Sequence, residues 1–480
     1  MSFCKKRHKQ ASYPQKKLEK SRVKYPKITL VSLRKLLIPK LKCLRWIKPV
    51  VAYKVNEINK EGTMKKLYLM TAMAAMMGVH NVQAAGYQLN EFSATGLGRS
   101  FAGIGVVGDD FSALAYNPAG MTAQKRSGVQ LGLAATEIAA KAKSKYGTDK
   151  MDYFVPLPSL MGQYNYNNKW FFGAGIYVPY GLSTKYKHDS HVAQNKGQGV
   201  RKSYLEVIDF NLSAAYRFKM GLSLGASAIL RWIEGQLTSN INAAHGYKIG
   251  YNDYRVNGWT KAFQIGAMYE FNENSRIGLS YRFKSTQSPR GKQYLYFNGI
   301  EGLQDFYRLQ TMSDPELPAS WILSGYHKWN DKWATEATAK YIQWHRFYVF
   351  PGQGYNVPPE LRYGLGMDGN YDVDYRWKDS WTFSLGQEYY ANENWTFRAG
   401  TAWDQAPTAN NNFRSNRIPD SDRIWLSAGA SYTNGNHQVD LGYAFLFMMH
   451  GRVRNNPEGD LDAKYHNHSN MFAIQYQYKF

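Results

Sequence analysis

Beyond residue 43 the chain has no cysteine; both of its cysteines, Cys4 and Cys43, fall within the first 63 of 480 residues. A thiolate zinc site, a CxxC redox pair and a disulfide framework are thereby excluded for the rest of the chain. It also lacks any run of about 18 apolar residues, which excludes a bundle of membrane-spanning helices, and its mean hydropathy is −0.52. Acidic residues are few, Asp+Glu 36 against Lys+Arg 60, for a formal charge of +24. The excess is not spread evenly: residues 1–63 hold 18 Lys/Arg and 3 Asp/Glu, a net of +15, which leaves +9 for everything after. A nucleic-acid partner, the usual reading of a basic chain, therefore loses its support for the main body. What is abundant is aromatic: Tyr 37, Phe 23 and Trp 13, or 15% of the chain.

Residues 64–84, MKKLYLMTAMAAMMGVHNVQA, read as a secretion signal. Lys65 and Lys66 form a positive start, Leu67 to Val79 an apolar stretch, and Val82-Gln83-Ala84 a cleavage site with small residues in the required places. Such a signal belongs at a chain start. The expectation is that Met64 begins the protein, that residues 1–63 are mistranslated upstream sequence, and that the mature chain is 85–480. A genuine basic arm is the alternative, and a peptide from 1–63 in the mature protein would support it.

From residue 127 to the end the chain repeats period-2 segments rich in aromatic and β-branched residues. Ile208, Phe210, Leu212, Ala214, Tyr216 and Phe218 share one face, with Asp209, Asn211, Ser213 and Arg217 opposite. Similar alternation fills 263–271, 276–284 and the last segment, Phe472 to Phe480. Tight polar turns at Asn167-Asn168, Lys219-Met220, Asn272 to Asn274, Asp331, Asn392-Glu393 and Asn434-Gly435 alternate with longer polar excursions near 137–151, 182–202, 241–254, 291–315, 351–374, 405–419 and 451–463. Transmembrane barrels alternate in this way, with apolar residues outward, polar residues inward and aromatic girdles at both interfaces. The spacing predicts an all-β fold, a transmembrane antiparallel β-barrel of about 14 strands. Trp321, Trp329, Trp333, Trp381, Trp395 and Trp425 are expected in the girdles. In the outer-membrane proteins this chain resembles, a terminal aromatic residue on an alternating strand is the barrel assembly signal, here Phe480 with Tyr478 and Tyr476.

Residues 85–126 do not alternate. They are glycine-rich and apolar, with a turn at Asn117-Pro118-Ala119, and read as a plug in the lumen, since a barrel of this width needs an open channel or a plug. AGYQLNEFSATGLGRSFAG followed by NPAG resembles the N-terminal hatch of the FadL family of long-chain fatty acid transporters. VPYGLSTKY (178–186), LPASWILSGYHKWNDKWA (317–334), NENWTFRAGTAWDQAPT (392–408) and IPDSDRIWLSAGASY (418–432) follow that family in order. The resemblance implies a monomeric barrel with an N-terminal hatch in a Gram-negative outer membrane. Lipopolysaccharide and outer-membrane lipid would surround it, the barrel assembly machinery would insert it, and it would use no cofactor and no metal.

It also implies a passive route for a long-chain fatty acid or another lipophile: capture at the outer loops, a lumenal pocket, hatch rearrangement, and lateral exit into the bilayer. In the family the hatch motif, here Asn117, Pro118 and Ala119, touches a kinked, glycine-interrupted third strand. That strand is 170–176 here, which makes Gly173, Ala174 and Gly175 the expected lateral opening. The family's pocket cations align with Ser239 and near Val373, so neither is kept; Arg231, Arg376 and Lys378 are the neighbouring candidates for the ligand carboxylate. Phe445 to Met449 is expected to face lipid. His450, His466 and His468 read as a solvated loop before a metal site. Aromatic hydrocarbons are the alternative cargo. A barrel-embedded lipid hydrolase is the remaining rival, but no G-x-S-x-G elbow and no convincing Ser/His/Asp set is present, so no catalytic residue is assigned.

Overall fold

The outward side chains of the wall are apolar and exposed, and the inward ones polar and buried, the reverse of a soluble sheet. Phe210, Leu212, Phe263, Ile265, Leu279, Phe472 and Ile474 are exposed, whereas their neighbours Asn211, Ser213, Gln264, Ser280 and Gln475 are buried. Hydrocarbon outside and a polar interior select this pattern. The computed structural model describes residues 86–480 except 244–246, 348, 351, 366, 368–372, 450 and 457–458. The leader 1–63, the signal 64–84 and His450 lie outside the described residues.

Fourteen strands form the wall: β1 (Gly128–Lys143), β2 (Thr148–Asn165), β3 (Trp170–Lys185), β4 (Gly197–Arg217), β5 (Leu222–Asn242), β6 (Lys248–Glu270), β7 (Ser275–Arg282), β8 (Ser320–Lys328), β9 (Trp333–Ile342), β10 (Ser380–Tyr390), β11 (Trp395–Asp404), β12 (Arg423–Asn434), β13 (His437–Met448) and β14 (Ala463–Lys479). Each pairs antiparallel with the next. Closure comes from β14 on β1, where Lys479 faces Gly128, so the wall as a whole has no free edge strand. Phe480 sits at this seam, exposed, its N–H donating to Ser127 O at 2.8 Å. Tyr478 packs beside it, ring centroids 6.0 Å apart, and the Tyr476 hydroxyl reaches His437 Nδ1 at 2.6 Å.

The six tight turns fall where the spacing puts them, but two of the long excursions are mostly strand. β1 and β2 stay paired out to Lys143 and Thr148, and β5 and β6 out to Asn242 and Lys248. Above the bilayer the outward face meets water instead of lipid, as at Lys141 and Lys143, so the apolar alternation fades while the ladder continues and the inward face, with Ala140, Ala142, Asn252 and Tyr254, stays buried. The excursion near 291–315 carries a hairpin, Arg290–Phe297 with Phe306–Met312, that pairs onto the outer half of β6. Trp321 and Trp381 are exposed at the long-connection end, and Trp329, Trp333 and Trp395 at the tight-turn end. Trp425 departs from the expected girdle: it is buried and points inward, edge-on to Phe101 at 5.8 Å. Its neighbours Ile424 and Leu426 take the outward positions. The run 445–449 likewise alternates, with Phe447 and Met449 outward and Leu446 and Met448 buried.

Residues 86–126 carry two short helices, α1 (Ala94–Gly98) and α2 (Ala113–Tyr116), then a 3-10 helix, Pro118–Ala123. Ser93 caps α1, accepting from Gly96 N at 2.9 Å and donating to Asp110 Oδ2 at 2.6 Å. The segment packs against inward faces on many sides of the wall, and glycines there let it approach. A Cβ on Gly429 would lie 2.9 Å from Gly98 Cα, one on Gly400 2.3 Å from the Arg99 backbone, and one on Gly225 2.4 Å from Ala119 N. Ion pairs add to the seat: Arg99 and Arg398 both bond Asp109 and Glu388 at 2.6–3.2 Å. At its start Gly86 N donates to Asp420 Oδ2 at 2.8 Å, and Arg423 holds Oδ1 at 2.9 Å.

Gly225→Leu should drive a side chain into Ala119, an overpacking penalty of about 1–3 kcal/mol. The barrel should keep its heat-modifiable migration while residues 86–126 become open to protease; unchanged protease resistance would contradict this seating. Burial pushes the Asp420 carboxyl up from 3.8 to about 6, against the pull of Arg423. The folded state then holds this proton more tightly than the unfolded chain, so its contribution to stability falls as pH rises through that window. Thermal unfolding in detergent should show that slope, and Asp420→Asn should remove it.

Candidate functional site

One place where neighbouring strands part lies between β2 and β3. β2 and β3 pair only from Asn165↔Phe171 to Leu160↔Ile176, so residues 148–159 of β2 have β1 alone as a partner. Beyond that point β3 shifts register against β4 between Tyr177 and Tyr180, and its residues Tyr177 to Thr184 are buried throughout. Residues 87–89 of the N-terminal segment take up its released edge: Gln88 bridges Tyr180, Leu89 N donates to Pro179 O at 2.8 Å, and Gly181 N donates to Tyr87 O at 2.8 Å. Prolines mark both sides of the seam, Pro156 and Pro158 on β2 and Pro179 on β3. A proline suits a strand where no partner waits for its N–H.

Gly173, Ala174 and Gly175 lie beside this seam, not in it. Gly173 pairs with Gln163 and Ser213, and Gly175 with Met161 and Asn211, inside unbroken ladder. Their inward positions give room to the N-terminal segment: a Cβ on Gly173 would meet Met121 Sδ at 2.6 Å, and one on Gly175 Leu114 Cδ1 at 2.9 Å. Leu114 and Met121 flank the Asn117-Pro118-Ala119 motif, which itself sits on other strands. Asn117 Nδ2 donates to Ala267 O on β6 at 3.1 Å, and its Oδ1 accepts from Ala119 N at 3.1 Å, capping the 3-10 helix. Gly266 and Gly278 face Asn117 so closely that a Cβ would come within 1.9 and 2.7 Å of its amide.

Inside the seam, towards the long connections, lies a small apolar cavity, part of it continuous with solvent. Leu182, Leu205, Ile233, Leu237, Val256 and Leu317 line it, with the rings of Tyr87, Tyr254, Phe347 and Tyr375. Among its lining residues Arg417 is the cation, and none is a carboxylate. Arg417 is buried on the connection between β11 and β12; Thr184 Oγ1 donates to its carbonyl at 2.8 Å and its Nη1 lies 3.5 Å from Ser203 Oγ. Below it Tyr87, Trp344, Phe347 and Trp377 form an aromatic floor, with centroids 4.7–5.7 Å apart.

None of the three expected cations lines this cavity. Arg231 is buried on β5, held by Asp209 through Nε and Nη2 at 2.6 and 2.9 Å and by Ser285 Oγ at 2.7 Å, with its guanidinium over the Tyr180 ring. Arg282 shares Asp209 at 3.1 Å, so two arginines converge on one carboxylate behind the kink of β3. Arg376 is exposed, paired with Asp374 at 2.8 Å and stacked over Phe413 at 4.4 Å. Lys378 is exposed two residues before β10. Sequence reading missed Arg417, which sits in an irregular connection with no periodicity to give it a face. It also missed Arg282 and Lys340 as lumenal cations, although inward parity on β7 and β9 could have found them. His466 and His468 lie on β14, and among the described residues no three His, Cys, Asp or Glu side chains gather as a metal site.

Comparison with known proteins agrees with this architecture. The chain is 29% identical over 454 residues to the long-chain fatty acid transport protein of Salmonella typhi, covering 87% of this chain and 99% of that protein. The crystal structure of a Pseudomonas aeruginosa FadL homologue superposes with a TM-score of 0.70 at 21% identity, over 82% of this chain and 99% of that one. The Ralstonia pickettii toluene transporter TbuX superposes at 0.61, also at 21% identity, over 82% and 99%; at that identity both speak to the fold alone. The family model described as outer membrane protein transport protein (OMPP1/FadL/TodX) matches residues 75–480, and the chain belongs to that family of outer membrane transporters.

Proposed function

We propose that the barrel passes long-chain fatty acids by passive diffusion, with residues 86–126 as the hatch and the β2–β3 seam as a lateral exit into the bilayer. The carrying observation is the cavity that joins an aliphatic lining to a single buried cation, Arg417. Each methylene buried there is worth about 0.8 kcal/mol, and a carboxylate leaving water needs a charged donor to offset its desolvation. An aqueous pore would not serve a substrate that prefers membrane to water. The relative from Salmonella typhi, named for long-chain fatty acid transport, aligns along almost its whole length.

In this reading Arg376 and Lys378, on the exposed rim, capture the carboxylate first, and Arg231, locked to Asp209, braces the kink of β3. A second reading, uptake of monoaromatic hydrocarbons, draws on the tyrosine and phenylalanine rings in the same cavity and on the fold shared with the toluene transporter.

Purified protein should bind oleate saturably, and mass spectrometry of its extract should recover fatty acid; a neutral aromatic recovered instead, with no oleate binding, would favour the second reading. Arg417→Gln should weaken oleate binding about tenfold, the loss of one charged hydrogen bond, and leave toluene binding unchanged. Gly173→Leu would press on Met121 and Leu114 beside the seam, so oleate uptake should stop while the barrel still assembles. Uptake retained by that variant would show that the segment's packing on Gly173 has no part in the exit.

A further inference from the structure

On the far side of residues 87–89 from the apolar cavity lies a second, smaller cavity, between the N-terminal segment and the wall. Asn90, Tyr116, Gln264, Ser280, Arg282 and Lys340 are among its lining residues, which include two cations and no carboxylate. Lys340, on β9, is 3% exposed, and its ammonium donates to Asn90 Oδ1 at 2.9 Å. That partner is a neutral amide. The buried arginines Arg99, Arg231, Arg282, Arg398 and Arg423 each reach a carboxylate within 4.0 Å. Among the described residues Lys340 forms no such pair; the charges that act on it from further off are Asp404, Arg282 and Glu91.

An ammonium taken out of water and given an amide oxygen is a poorly compensated charge. A methionine would fill the same space without that penalty. A charge kept in this state suits an anionic partner that arrives and leaves. Asn90 belongs to the stretch that has taken up the edge of β3, one residue beyond Leu89, whose N–H bonds Pro179. The acceptor now on Lys340 is therefore part of the closure itself. A carboxylate displacing Asn90 Oδ1 gains a charge-assisted hydrogen bond and at the same moment removes one of the ties that hold residues 87–91 in place.

We propose that Lys340 is a second station for the carboxylate of an acidic lipophile, with Asn90 as its placeholder. Occupation of the station withdraws the placeholder, loosens the segment along β3, and makes passage selective for acids over neutral molecules of the same shape. This rests on the fatty acid reading above.

The test compares oleate with oleyl alcohol, which share a tail and differ in the head group, in transfer through the purified protein reconstituted in liposomes. Lys340→Met should lower the ratio of oleate to oleyl alcohol transfer about tenfold, one charged hydrogen bond's worth, with oleate binding affinity at the apolar cavity kept. Lys340→Arg should restore most of the ratio. Asn90→Asp, which gives Lys340 a permanent internal carboxylate, should lower it in the same direction in a barrel at least as stable. A merely structural lysine would move both substrates together. An unchanged ratio in Lys340→Met and Asn90→Asp, with the wild type transferring oleate, overturns the second station alone. A wild-type barrel that transfers the alcohol but not oleate overturns both readings.

Discussion

The close approach of the N-terminal segment to the wall is the constraint on which the rest depends. Backbone meets backbone at Gly98 and Gly429, at Arg99 and Gly400, and at Ala119 and Gly225, on strands on different sides of the barrel. Contacts of this kind leave no room for a side chain, and a glycine inside a strand otherwise weakens it. The wall accepts that loss at several strands at once and recovers it through segment packing and the ion pairs that Arg99 and Asp109 make with Glu388 and Arg398. A segment fixed on several sides cannot move at one strand without strain at the others. Its displacement must therefore start at an end, and the end at Tyr87 to Asn90 is the one that lies along the seam.

The seam follows from the same constraint. Once residues 87–89 supply hydrogen-bond partners to Pro179 and Gly181, β3 has no need of β2 there, and its residues from Tyr177 to Thr184 become buried. An unpaired strand edge in a membrane is ordinarily forbidden, because backbone groups find no water. Two features relieve it here. Pro156 and Pro158 bring no N–H to the edge of β2, and the inward turn of β3 puts protein rather than lipid beside its own edge. Motion of residues 87–89 would leave Pro179 and Gly181 without partners, so the edge of β3 and the start of the segment are held by the same hydrogen bonds.

The wall was legible in the sequence because a barrel in a bilayer enforces one rule on every strand: apolar out, polar in. Strand number, turn positions and the closing role of the last strand all follow from that rule. It fails where the rule stops applying. The strands beside 137–151 and 241–254 continue past the bilayer, where no lipid demands an apolar outward face, and so they read as loops. Trp425 broke the girdle expectation because a tryptophan near a strand end was judged by type and not by parity; Ile424 and Leu426 already occupied the outward face. The kink of β3 was sought at Gly173 and Gly175, whereas it follows Tyr177. The glycines answer to Leu114 and Met121, and the three prolines carried the information about the seam. Arg417 had no signal at all, since an irregular connection assigns no face to its residues.

The lumenal charges divide by how they are compensated, and that division separates structure from transport. Arg99, Arg231, Arg282, Arg398 and Arg423 are matched to carboxylates of the chain itself. Breaking such a pair leaves an uncompensated buried charge, which costs several kcal/mol, so these arginines hold the barrel and its segment together and are poorly placed to exchange partners with a ligand. Lys340 differs in that the partner of its ammonium is the neutral amide of Asn90. It lines the chamber on the far side of residues 87–89 from the apolar cavity, so on the fatty acid reading that stretch of chain stands between the two.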